Sequence, residues 1–462
     1  MAVPCDTMDA QTMVVIGGGP AGIHAASNAA RYGAIVTVIE SDRVGGAAHL
    51  LDCVPSKSMI ATGGAVSFTR RIAGMGLGDL DAKLDSAKLR GRIAAIEQTL
   101  ESSARRLLES QGVRLISGHG RVSGPNEVIA TTADGVEETI SADFIVLSTG
   151  SRPRVPDWVA LDGDRVLTTR EAYPPSEIPS HLIVVGSGVT GVEFVHMFSS
   201  LGSQVTLVVS RQQVLPNKDP EAAAVLEQTF IDRGVKLLKG ARAVSIERAD
   251  DSVKVVCDDG RIANGSHVIL AIGSIPNSAS LGLEAAGVEL DDGGYVVVDR
   301  NLKSSVPSIY AAGDLSGKLP LSSVAAMQGR KIAEHAMGLH QRVHRHLDYE
   351  KAASAIFTEP EIADVGLAEA EAFSTGRKVR VTKVPFSSNA KALINDDPRG
   401  FVKIVSDPAT GVVLGGSIVG RHAAELIAVI ALAVTAGLTV TDLHESQFAY
   451  PTLSEALAEA AE

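Results

Sequence analysis

Paired cysteines, an excess of basic charge, long apolar runs and metal-binding motifs are all missing from this 462-residue chain. Its three cysteines, Cys5, Cys53 and Cys257, lie too far apart to build a disulfide framework and suit a reducing cytoplasm. The formal net charge is -12, with 42 Lys and Arg against 54 Asp and Glu. That balance excludes a nucleic-acid surface, because nothing supplies the cations that phosphate contacts need. The most apolar stretch, residues 426–438, is too short to span a bilayer, so no integral membrane segment is expected. Residues 1–10 are neither basic nor a long apolar core, as an export signal would be. The 12 histidines include no H-E-x-x-H pattern and no paired-cysteine cluster. His340, His344 and His346 read as a solvated junction, so no metal is expected.

Glycine, by contrast, is abundant at 45 residues, which suits tight turns and close backbone approaches to ligands. In residues 12–40 a short β-branched run feeds Gly17-Gly18-Gly19-Pro20-Ala21-Gly22. An alanine-rich helix follows, then a strand over residues 35–39 that ends at Glu40. This is a βαβ dinucleotide fingerprint in its required context, with Ile16, Pro20, Ala21 and Ser41 flanking its key positions. Gly17 makes the turn, Gly19 lets the backbone approach a pyrophosphate, and Gly22 permits close helix–strand packing. The helix N-terminus faces the phosphate charge. Glu40, about 20 residues on, stands where a carboxylate meets a ribose 2′-hydroxyl.

The unit recurs from residue 181, with Gly186, Gly188 and Gly191 in the same places. Val189 and Glu193 lie at the start of its helix, and a strand is expected over residues 204–209. One fingerprint leaves open a glycine-rich turn without a ligand; two in context predict a protein of two dinucleotides. The counterpart of Glu40 is Val209, followed by Ser210 and Arg211. A missing carboxylate and an arginine able to meet a 2′-phosphate favour NADPH over NADH, against the competing reading of a chance surface arginine.

Residues 45–57 read Gly-Gly-Ala-Ala-His-Leu-Leu-Asp-Cys-Val-Pro-Ser-Lys and lead into a segment, 58–71, of helical character. Cys53 stands at the expected helix start, where a thiol is thiolate-prone; the competing reading is a small buried hydrophobe. Lys57 follows one turn later. Residues 86–111 read as a long amphipathic helix. Residues 144–153 and 268–277 are each a buried strand ending in a glycine turn. Beyond residue 346, short strands over 401–405 and 412–419 are expected among helices over 361–373 and 422–436.

These motifs together resemble the flavoprotein disulfide reductases, which carry Gly-Gly-Thr-Cys, four residues, then Cys-x-Pro-Ser-Lys. The resemblance spans the chain from about residue 12. It implies an α/β fold with two Rossmann-like dinucleotide-binding domains, for FAD and NAD(P), and a C-terminal α+β dimerisation domain. The FAD domain would take residues 1–152 and 275–346, the NAD(P) domain 153–274, and the dimerisation domain 347–462. Gly45, Gly46, Ala47, Cys53 and Lys57 then fall against the flavin. Thr149, Gly150, Ser151 and Gly273 fall in the two crossover segments, and Gly313 and Asp314 in the motif that holds the ribityl chain. Gly120, Leu321, Ser322 and Ala325 complete the cofactor positions. Lys57 and Glu193 are implied to pair beside flavin N5, where a fixed cation stabilises the reduced ring.

Two departures stand out against the family pattern. The first cysteine falls on Ala48. The histidine of His-Pro-Thr-x-Ser-Glu falls on Tyr450, although Glu455 is kept. A phenol of pKa about 10 is a poor replacement for an imidazole of about 6.5 in thiol chemistry. Dithiol exchange is therefore excluded. The whole pattern is similar to disulfide-free, dihydrolipoamide-dehydrogenase-like NAD(P)H quinone reductases. That resemblance implies a homodimer passing hydride from NAD(P)H to flavin N5 and then to a small-molecule quinone. Lys57, Glu193, Cys53, Tyr450 and Glu455 are the catalytic candidates. A soluble pyridine-nucleotide transhydrogenase and a non-catalytic redox-sensing flavoprotein are the alternatives.

Overall fold

The computed structural model describes residues 10–78, 80, 82–173, 175, 177–339 and 346–462. Cys5, His340 and His344 lie outside them. The chain forms two compact units. One takes residues up to 55, 91–152 and 274–349; the other takes 56–90, 153–273 and 350–462.

The first unit is built on a seven-stranded sheet. Its order is Ile309–Ala311, Phe144–Leu147, Thr12–Ile16, Ile35–Glu40, Arg114–Gly124, Glu127–Thr132 and Glu137–Ser141. The first five strands run parallel and the last two close an antiparallel meander. The central strands are apolar runs buried on both faces, as a parallel sheet covered by helices requires. Met13, Val15, Val38, Ile145 and Val146 are all buried, each contributing about 1.5–3 kcal/mol by leaving water. The helix Pro20–Arg31 lies against the helix Ser322–Ala336. Their approach is close enough that a Cβ on Gly329 would sit 2.1 Å from the Ala21 carbonyl oxygen. The helix Ser86–Ser110 matches the long helix expected over 86–111.

The second unit holds a parallel sheet ordered Lys236–Lys239, Gln204–Val209, His181–Val185, His267–Leu270 and Val166–Thr168. A three-stranded antiparallel meander accompanies it (Ala243–Arg248, Val253–Cys257, Ile262–Gly265). A second sheet, all antiparallel, is ordered Ser354–Ile356, Glu361–Gly366, Val413–Gly420, Phe401–Ser406 and Arg380–Pro385. The helix Ala423–Ala436 packs on it through Ile427, Ile430 and Ala433.

Two expectations are corrected here. Residues 361–373 do not form one helix. Glu361–Gly366 is a strand paired with Val413–Gly420, and only Glu369–Ser374 is helical. Gly366, at φ +73°, ends the strand where a side chain would strike the Leu414 carbonyl. Cys53 is not at a helix start either. The helix Val54–Thr69 is preceded by a π-helical turn over Ala48–Cys53, so the thiol lies beyond the first turn of a longer helical run. The favourable field of a helix N-terminus fades within one turn. No helix among the described residues is long and apolar enough to cross a membrane.

Candidate functional site

The two glycine turns share one geometry. Gly17 and Gly186 have φ of +102° and +111°, and a Cβ on either would lie 2.4 or 2.3 Å from a carbonyl oxygen of the neighbouring strand end, Ser148 or Ala271. A Cβ on Gly22 or Gly191 would lie 2.0 or 1.9 Å from the oxygen of Gly17 or Gly186. The protein's own packing therefore explains the first and third glycines of each turn. It does not explain the second. A Cβ on Gly188 would meet nothing within 4 Å, and one on Gly19 only the Gly46 Cα at 3.9 Å. Both residues cap helices, Pro20–Arg31 and Val189–Ser200, that have no side-chain cap. The uncapped N–H groups and the space before them suit a pyrophosphate, so a dinucleotide fits both turns.

Around the first turn, Glu40 accepts from the amides of Gly18 (2.5 Å) and Asp42 (2.8 Å), placing its carboxylate against the glycine loop with Ser41 beside it. Gly46 packs on Gly19, where any side chain would come within 2.5 Å of the Gly19 Cα, and Gly45 has φ +130°. Gly120 is explained by packing, since a Cβ would press on Ile16 at 2.9 Å. The Ser151 hydroxyl donates to Asp314 at 2.6 Å. Thr149 and Asn277 exchange hydrogen bonds at 2.9 Å, and the Asn277 amide donates to the Gly150 carbonyl. The Gly313 amide donates to Gln328, a fully buried amide side chain that also reaches the Tyr349 hydroxyl. Leu321 caps the helix that begins at Ser322, with Ala325 buried in its first turn.

In the second unit, Lys57 and Glu193 form an ion pair at 2.8 Å. The other Glu193 oxygen accepts from the Phe357 amide at 3.0 Å. Glu193 is buried, so both bonds offset the cost of removing its charge from water. The lysine ammonium also lies 4.9 Å over the Phe357 ring. Sequence reasoning missed Phe357 and Gln328, because neither belongs to a periodic or glycine-marked motif. Val209 is buried at the end of its strand, while Ser210 and Arg211 are exposed. Tyr450 is exposed and its hydroxyl makes no hydrogen bond among the described residues; Glu455 instead accepts from the Thr452 amide at 2.9 Å.

Behind Lys57 lies a charged network. Glu359 pairs with Arg71 (3.0 Å), Arg233 (3.0 Å) and Arg399 (3.2 Å), and Asp397 with Arg71 (2.9 Å) and Arg399 (2.6 Å). Burial opposes the charge on Glu359, but Arg233, the Ser67 hydroxyl, Arg71 and Arg399 outweigh it and hold the carboxyl at about 2. Burial, reinforced by Arg233, pushes His196 down to about 3. Its neutral Nδ1 lies 3.1 Å from the Arg233 guanidinium, which donates to it. A separate acidic trio, Asp219, Glu221 and Glu369, has ligand-like spacing. The buried Lys403 ammonium already fills its centre, at 2.7, 2.5 and 2.8 Å from the three carboxylates.

Comparison with known proteins adds the following. Residues 11–329 match the family model described as pyridine nucleotide-disulphide oxidoreductase, and residues 352–461 match its dimerisation domain. A Mycobacterium tuberculosis protein named NAD(P)H dehydrogenase (quinone) is 42% identical, over 97% of this chain and 93% of its own. A dihydrolipoyl dehydrogenase of Chlamydia muridarum is 33% identical over 97% and 95%. The crystal structure of LpdA from Mycobacterium tuberculosis superposes with a TM-score of 0.92, covering 98% of this chain and 99% of that one at 42% identity.

Proposed function

The chain belongs to the pyridine nucleotide-disulphide oxidoreductase family, and we propose that within it this protein is an FAD-dependent, homodimeric NAD(P)H:quinone oxidoreductase. The family binds FAD and NAD(P)H. The observation that carries the quinone reading is the loop at residues 45–57, where alanine at position 48 leaves a single thiol, Cys53. The 42% identical relative named NAD(P)H dehydrogenase (quinone) supports the same reading. The net reaction is NAD(P)H + H⁺ + quinone → NAD(P)⁺ + hydroquinone. Two electrons and one proton equivalent leave the nicotinamide as hydride, and solvent supplies the second proton. Bound FAD supplies a two-electron carrier between the donor and the acceptor.

The chain's own residues bind and orient the reactants. The open Gly19 and Gly188 turns would receive the two pyrophosphates, Glu40 would hold the flavin-side ribose and Asp314 the ribityl chain. Lys57, fixed by Glu193, would offer its cation to a bound flavin. Arg211, with Ser210 beside it and Val209 in place of an acid, favours the 2′-phosphate of NADPH. Tyr450 and Glu455 belong to the dimerisation domain, where the exposed phenol is available to a second copy. Cys53 is assigned no step.

Anaerobic titration of the yellow enzyme with NADPH, followed by menadione, tests this reading. Uptake of two electrons per FAD and rapid reoxidation by menadione are expected. Uptake of four electrons, or no menadione turnover, overturns it. Hydride exchange to an NAD analogue without quinone turnover would favour a transhydrogenase instead.

A further inference from the structure

The C-terminal sheet of the second unit carries a polar row across all five of its strands. Ser354, Asp364, Ser417, Lys403 and Lys383 are successive cross-strand partners, and such partners share a face. A polar sheet face ordinarily meets water, yet the Lys403 side chain is only 4% exposed. Part of its cover is the segment between the strand Gln204–Val209 and the helix Pro220–Asp232. Lys403 reaches Asp219 and Glu221 there. Lys218 spends its three ammonium donors on Asp364, at 2.6 and 2.9 Å, and on Ser354 at 2.8 Å. Asp219 caps the helix by accepting from the Glu221 amide at 2.8 Å.

The same segment reaches the second glycine turn. The Leu215 amide donates to the Ser187 carbonyl at 2.8 Å, and the Lys218 amide closes a turn on the Leu215 carbonyl at 2.9 Å. Leu215 is buried at φ +50°, a conformation that a residue with a side chain keeps only where its surroundings enforce it. The first glycine turn has a matching tie and one more. There the Gly18 carbonyl accepts from the Gly45 amide at 2.9 Å, and the Gly18 amide donates to Glu40. Val209 stands where a second Glu40 would, and its side chain accepts nothing, so more of the second turn's placement falls to Leu215. Leu215 in turn lies three residues from a lysine locked to the sheet. We infer that Lys218, acting through Leu215, is a positioning residue for the nicotinamide nucleotide. It fixes the 186–188 turn to the sheet of the dimerisation domain, and that sheet thereby sets the affinity for NADPH and NADH alike. The inference rests on the NAD(P)H reading above.

Lys218→Met removes the ammonium and keeps most of the side chain's length. Isothermal titration calorimetry of the oxidised holoenzyme with NADP⁺ and with NAD⁺ gives the two Kd values. Both should rise by about fivefold or more, the lower range of coupling between linked sites. The KM for NADPH should rise in step, while flavin reduction at saturating NADPH keeps its rate. Lys218→Arg should restore most of the affinity, and adding Asp364→Asn to Lys218→Met should raise neither Kd further. An ion pair that only braces the fold would, when lost, lower the urea midpoint and leave both Kd values alone; that result overturns the inference. So does a rise confined to NADP⁺, which would place the effect at the 2′-phosphate and not at the turn. Should Lys218→Met not fold, Asp364→Asn alone carries the same test. If the wild-type holoenzyme binds neither nucleotide, the NAD(P)H reading fails and this inference falls with it.

Discussion

Replacing Lys57 with methionine probes the ion pair most directly. Glu193 is buried and its charge is offset by two bonds, from the Lys57 ammonium at 2.8 Å and the Phe357 amide at 3.0 Å. Lys57→Met removes the charge-assisted bond, worth about 1.5–3 kcal/mol, and strands a buried carboxylate with one donor. Breaking a fully buried pair costs about 3–5 kcal/mol. The lysine side chain is 34% exposed, so solvent screens part of the pair and about 2–3 kcal/mol is the better expectation at pH 7. Glu193→Gln should cost less, about 1 kcal/mol, because the ammonium can turn to water. The double variant should recover most of the Lys57→Met loss. Urea denaturation of the holoenzyme reads these differences. Anaerobic stopped-flow reduction by NADPH reads the chemistry, and loss of the cation should slow it about 100-fold, in the range for removing one preorganised donor. A Lys57→Met protein within 0.5 kcal/mol of wild type and reduced at the wild-type rate would refute the role given to this pair; the threshold is roughly the scatter of neutral surface substitutions.

Gly188→Ala should fold normally, since its Cβ is unobstructed, yet raise the Kd for NADPH by tenfold or more as measured by titration, because the methyl intrudes where the pyrophosphate approaches. Gly191→Ala, with 1.9 Å to the Gly186 oxygen, should instead destabilise the unit, seen as a lowered denaturation midpoint. Arg211→Ala should raise the KM for NADPH about tenfold, the scale of one charged hydrogen bond, and leave that for NADH unchanged. Acid stability follows from His196, whose folded value of about 3 lies below the unfolded 6.5. Between those values the unfolded chain binds the extra proton, so stability is full above pH 6.5 and falls toward pH 3 by up to about 1.4 kcal/mol per unit. Glu359, at about 2 against 4.5, adds a loss of the same sign below pH 4.5, and His196→Gln should flatten the upper part of the curve in a pH series of urea midpoints.

The two glycine turns were legible in the sequence because their cause is local: three residues without side chains, a strand before and a helix after. The strand Glu361–Gly366 was not, because its six residues take their conformation from pairing with Val413–Gly420, some 50 positions away. What the structure adds is that the second glycine of each turn has no packing reason, which leaves the space a pyrophosphate needs. The Lys57–Glu193 pair could be expected from resemblance, but not the Phe357 amide that holds the second oxygen of Glu193. The network joining Arg71 to Asp397 spans 326 positions of chain, and no spacing rule reaches that far. Cys53 was misplaced for a subtler reason. The helix start is expected at Cys53 itself, but the π-helical turn Ala48–Cys53, which Cys53 ends, carries no propensity signature.

A turn hydrogen-bonded from i to i+5, as Val54 is to His49, sets residues five apart on the same side of the chain. Positions 48 and 53 are such a pair, and only one of them now holds sulfur. Cysteine at position 48 is therefore the one substitution that would set a second thiol on the Cys53 side of this turn.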